Sequence, residues 1–66
     1  MNVTINGAAQ EVPDGITVAQ AVQTLTTATT GVAVAVNGEV VTRSTWETTA
    51  LGDRDTVEVL TAVQGG

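Results

Sequence analysis

The sequence predicts a small α+β domain in which one helix lies on a sheet, and three observations carry that prediction. Two Asn-Gly dipeptides, Asn6-Gly7 and Asn37-Gly38, each interrupt a run of alternating or apolar residues. A helix-start signature occupies residues 16–20, and residues 57–61 alternate as a closing strand. The order along the chain is strand, strand, helix, strand, strand, strand.

Val3 and Ile5 alternate with Asn2 and Thr4, and Asn-Gly best tolerates positive φ at both central positions of a type I′ turn, so residues 2–12 form a hairpin. Pro13 lacks an amide donor and ends the second arm before an Asp14-Gly15 turn. Thr17 is placed as N-cap, with Gln20 three residues on as its capping-box partner and Ile16 positioned to staple against Ala21. The helix therefore begins at Val18 and runs about eight to ten residues, with Val18, Ala21, Val22 and Leu25 as its apolar stripe. Residues 26–30 are β-branched and Ala, and read as helix end and connection. Val32, Val34 and Val36 alternate with Ala33 and Ala35, and Asn37-Gly38 turns the chain into a return arm at Val40 and Val41. A turn over residues 51–55 leads to the last strand.

With 66 residues the chain holds one domain and one small core, of stability about 3 to 10 kcal/mol. A hydrophobic share of 42% is too high for a disordered acidic tail, and the longest wholly apolar run, residues 32–36, falls far short of a membrane span. The start of the sequence is a strand pattern and lacks the features of a secretory signal, so a soluble, cytoplasmic protein is expected. The net charge of −5, with Arg43 and Arg54 as the sole cationic side chains, argues against nucleic-acid or anionic-membrane partners and for basic ones.

The absence of His, Cys and Lys removes the thiolate and imidazole metal ligands and every usual activator of Ser44 or the threonines, so no catalytic residue and no metal site is expected. Asp53, Asp55 and Glu58 lack the further donors and glycine spacing of a calcium loop and read as a solvated turn. The terminus is the remaining chemical feature. Gly65-Gly66 puts an α-carboxylate on an arm without side chains, able to thread a narrow cleft once an activating group such as AMP gives the carboxyl a leaving group. Residues 63–66 form a flexible arm of about 13 to 14 Å beyond a domain at residues 1–62. An incidental Gly-Gly end is the competing reading.

If Val57 and Val59 face the helix, Glu58 and Leu60 face outward; Leu60 is then either a docking residue, with Ala33 and Ala35 as a flat apolar floor beside it, or a single exposed leucine. Trp46, the only aromatic residue, is expected as a lid over the core in preference to an interface anchor. Arg43 reads as solvated or weakly paired. Asp53 and Asp55 lie about 20 Å from the far end of the last strand, too far to assist chemistry at Gly66, and are suited to steering a basic partner.

Residues 34–41 (VAVNGEVV), Arg43-Ser44 with Trp46, residues 51–57 (LGDRDTV) and the terminal Val63-Gln64-Gly65-Gly66 resemble the sulfur-carrier proteins of thiamine thiazole biosynthesis, the ThiS family. The resemblance covers nearly the whole chain and is most specific over residues 34–66; lack of lysine and the Thr-rich connection depart from no required motif. It implies a ubiquitin-like β-grasp: a mixed sheet of four to five strands, first and last strands parallel at its middle, with one helix across one face. It also implies that Gly66 is adenylated by an E1-like adenylyltransferase consuming ATP, becomes a thiocarboxylate with sulfur from a source such as a cysteine desulfurase, and donates it to thiazole synthase. The protein would then be a cosubstrate, binding no cofactor and performing no catalysis itself. The sulfur carriers of molybdopterin or cysteine synthesis, and ubiquitin-like protein modifiers, are the alternatives of the same end chemistry.

Overall fold

In a computed structural model, residues 1–26 and 30–61 are described. The strands are β1 (Asn2–Ile5), β2 (Ala8–Glu11), β3 (Val32–Val36), β4 (Glu39–Val41) and β5 (Thr56–Thr61); helix α1 spans Val18–Gln23, and a 3-10 turn spans Arg43–Thr45. They form one five-stranded sheet in the order β2-β1-β5-β3-β4. β1 and β5 pair in parallel, with Thr4 opposite Thr56 and Ile5 opposite Val57. The other three pairings are antiparallel. The sequence-predicted order of elements and the β-grasp arrangement are both present.

The two hairpins turn as the dipeptides require. Asn6 and Gly7 have φ of 51° and 83°, Asn37 and Gly38 have 51° and 84°, the signature of type I′ turns. Each asparagine has a second use that the local sequence does not announce. The Asn6 side chain accepts from the Val59 N–H at 2.8 Å and donates to the Val59 carbonyl at 3.1 Å. Its amide thereby stands in for the peptide unit that β1 would have offered had it not turned away. On the other flank of β5, the Asn37 N–H donates to the Thr56 carbonyl at 2.7 Å while its side-chain oxygen accepts from the Thr56 N–H at 3.0 Å.

Helix α1 starts at Val18 with both capping-box bonds formed: the Gln20 N–H donates to the Thr17 hydroxyl oxygen at 3.2 Å, and the Thr17 N–H donates to the Gln20 side chain at 3.0 Å. The next two amides find carbonyls in the following segment, Val18 with Thr49 at 2.9 Å and Ala19 with Trp46 at 3.1 Å. The early N–H groups that a helix leaves unpaired are all satisfied here.

The helix is shorter than its pattern predicts, six residues where eight to ten are expected, and Leu25 falls off the stripe at 42% exposure. The cause is a tightened last turn. Both the Thr24 N–H and its hydroxyl donate to the Ala21 carbonyl, at 3.2 and 2.7 Å, and the Leu25 N–H donates to Val22 at 3.0 Å. These three-residue steps rotate Leu25 away from the sheet.

The core lies between α1 and one sheet face: Val3, Ile5, Val34, Val57 and Val59 from the sheet, Ile16, Val18, Ala21 and Val22 from the helix region, with Trp46 and Leu51 closing its edge. Trp46 is 8% exposed, its indole N–H donates to the Val41 carbonyl at 2.9 Å, and it is a lid on the core as expected. Arg43, expected as solvated or weakly paired, is exposed and places its guanidinium 5.8 Å from the Trp46 ring centroid, a weak cation–π contact over the lid. Among the described residues no helix is long and apolar enough to cross a membrane.

Candidate functional site

The expected chemical end of the molecule, Val63, Gln64, Gly65 and Gly66, lies outside the described residues, as does the expected domain boundary after residue 62. What the fold supplies is the element that leads to it. β5 is the central strand, hydrogen-bonded on one flank to β1 and on the other to β3 over five residue pairs, from Val32 opposite Thr61 to Val36 opposite Val57. Its end at Thr61 is the end of the central strand, paired with β3 out to that last residue, a rigid base for whatever follows.

The alternation along β5 matches the sequence reading. Val57 and Val59 are buried against the helix, while Thr56, Glu58, Leu60 and Thr61 are exposed. Leu60 is 69% exposed and sits opposite Ala33; Glu58 sits opposite Ala35. The structure therefore brings Ala33, Ala35 and Leu60 together on the open sheet face, with Ala33 exposed and Ala35 half-buried. A shallow depression lined by Gly31, Val32, Ala33, Leu60 and Thr61 marks the end of this face nearest the strand exit.

One member of the patch escaped sequence reasoning. Val40 is 78% exposed and pairs with Ala35, so it extends the apolar surface across β3 onto the edge strand. Its face is decided by the register of β4 on β3, which no local pattern in a three-residue strand encodes. Glu58, opposite Ala35, gives the apolar patch an acidic neighbour, while Glu11 shares the face through its pairing with Asn2 but lies on the far edge strand.

The acidic turn before β5 is bound up in structure. The Asp53 carboxylate accepts from the Asn2 N–H at 2.9 Å. The Asp55 carboxylate accepts from the Asn37 side chain at 3.0 Å and from the Gly52 N–H at 2.7 Å. Those two donors, the Asn37 amide foremost, hold the Asp55 carboxyl below the usual carboxylate range against a small opposing effect of burial. Arg54 lies 4.0 Å from Asp53 with both side chains largely exposed, a weak pair. These carboxylates order the entry to β5, at the end of the strand opposite Thr61.

The sequence model of the ThiS family matches residues 3–66. The crystal structure of the thiamine biosynthesis protein (ThiS) from Geobacter metallireducens is similar at 35% identity over 100% of both chains, with a TM-score of 0.81. The solution NMR structure of a thiamine biosynthesis protein from the same organism is similar at 35% identity, with a TM-score of 0.82 over 100% of this chain and 88% of that one. No curated protein matches the sequence.

Proposed function

The chain belongs to the ThiS family, and from that premise we propose that it carries sulfur for thiamine biosynthesis on the carboxyl group of Gly66. The observation that carries this reading is that the family match runs through Gly65 and Gly66, so the side-chain-free end falls inside the family pattern. The Gly66 carboxylate attacks the α-phosphate of ATP on an E1-like adenylyltransferase and pyrophosphate leaves. The terminal sulfur of a persulfide, drawn from a source such as a cysteine desulfurase, displaces AMP, and a thiol of a partner or of solution reduces the acyl disulfide so formed, leaving with the other sulfur as a disulfide. The resulting thiocarboxylate is nucleophilic at sulfur and stays tethered to the protein until thiazole synthase takes the sulfur and the carboxylate returns.

The chain's own contribution is to present Gly66, with Val63, Gln64 and Gly65 as the arm that enters partner active sites, and to dock. We assign docking to the open-face patch of Leu60, Ala33, Ala35 and Val40, with Glu58 selecting a cationic rim on the partner. The protein acts as a cosubstrate among cytoplasmic enzymes, and ATP is consumed by its activating partner.

The test is intact mass after incubation with ATP, a sulfur source and an E1-like enzyme of the same host. The expected result is a gain equal to sulfur replacing one oxygen, lost when Gly66 is deleted while the deletion variant unfolds at the same urea concentration as the full chain. No gain, with the activating enzyme shown competent on another carrier, overturns the reading.

A further inference from the structure

Asn-Gly is the dipeptide in which the following amide nitrogen reaches the asparagine side chain most easily, because glycine brings no Cβ into the approach. This chain holds two, and the fold secures them unequally. At Asn6 both side-chain bonds go to the backbone of Val59, a buried residue in the interior of β5, and both are partly shielded from solvent. At Asn37 the side chain is bonded to Asp55, in the turn, and to Thr56, the first residue of β5, and both bonds are exposed. Exposed bonds at the end of a strand open far more often than those inside a central one.

We propose that Asn37 is a modification site of this protein, undergoing spontaneous deamidation whenever its bonds to Asp55 and Thr56 open, while Asn6 stays protected until β1 and β5 part. The Gly38 nitrogen attacks the Asn37 side-chain carbonyl carbon and loses its proton to solvent, and the side-chain nitrogen leaves as ammonia. Water then opens the cyclic imide at either carbonyl, giving aspartate or isoaspartate. The reaction consumes one water and needs no oxidant, enzyme or metal.

The product does not fit where the amide was. An N–H donor that faced the Asp55 carboxylate at 3.0 Å is replaced by a carboxylate, so two negative groups meet and the Asp55 bond cannot re-form. The reaction therefore loosens the junction between the second hairpin and β5 in one direction only, at the turn leading into β4 and its patch residue Val40.

Folded protein is aged at neutral pH and 37 °C, with a parallel sample in urea, and digested at intervals to separate the aspartate and isoaspartate peptides at each site. In urea the two sites react at comparable rates. In the folded chain Asn37 outpaces Asn6, and urea kept below the unfolding transition speeds Asn6, which reacts only when β1 and β5 part, while leaving Asn37 nearly unchanged. Asn6 is the internal control for global unfolding. A folded-state ratio of the two rates equal to that in denaturing urea, or sub-denaturing urea that speeds both sites by the same factor, overturns the proposal.

Discussion

At the scale of single residues, side-chain amides and carboxylates here take the places of backbone. Asn6 replaces a peptide unit beside Val59, Asn37 replaces one beside Thr56, and Asp53 and Asp55 accept the N–H groups of Asn2 and Gly52. Because the folded-state pKa of Asp55 is lowered, its carboxylate stabilises the fold fully above the ordinary carboxylate value of about 3.9, and that contribution is lost as the pH falls through the lower folded-state value. Urea unfolding across pH should therefore show native chain and Asp55→Ala well separated at pH 6, with the gap narrowing below about pH 4. The turn chemistry of both asparagines is legible in the sequence, because Asn-Gly acts on its own backbone. Their second bonds are not legible, since Asn6 reaches a partner 53 positions away.

At the scale of elements, the start of α1 is written locally and its end is not. Thr17, Gln20 and the apolar spacing specify the beginning in five residues. The end depends on a contest between the Thr24 hydroxyl and the helical pattern for one carbonyl, which the spacing of Leu25 conceals. Thr17→Ala removes the hydroxyl acceptor of the box and should cost about 0.5 to 2 kcal/mol in equilibrium urea unfolding, with the m-value unchanged. The Val18 and Ala19 amides keep their bonds to Thr49 and Trp46 in that variant, so the helix is weakened at one donor and retained. The strands show the same division. Alternation identifies β1, β3 and β5, but the parallel pairing of β1 with β5 joins residues about fifty positions apart and is recovered only through family resemblance.

At the scale of the whole molecule, seven acidic side chains against two basic ones give a field that favours cationic partners from any direction. The basic residues do nothing to offset this on the open face: Arg43 lies over Trp46 and Arg54 sits in the turn before β5. Placement of Leu60 on that face was legible from alternation, whereas the contribution of Val40 needed the sheet register. Stopped-flow association with the activating enzyme should slow as ionic strength rises, and Leu60→Asp should weaken the complex by at least about tenfold while leaving the urea midpoint within error. An association rate indifferent to salt removes the steering role, and a Leu60→Asp variant that binds normally removes the patch.

The pairing of β5 on both flanks has a mechanical consequence. The ladder bonds to antiparallel β3 run perpendicular to β5, and those to parallel β1 run slanted across it. A pull along the chain at Thr61, such as an enzyme exerts when it draws a terminal arm into a cleft, therefore loads the bonds to β1, to β3 and to the Asn6 amide in shear, and all together. Peeling them one at a time would require a force directed out of the sheet. β5 is thus held against such a pull on both of its flanks.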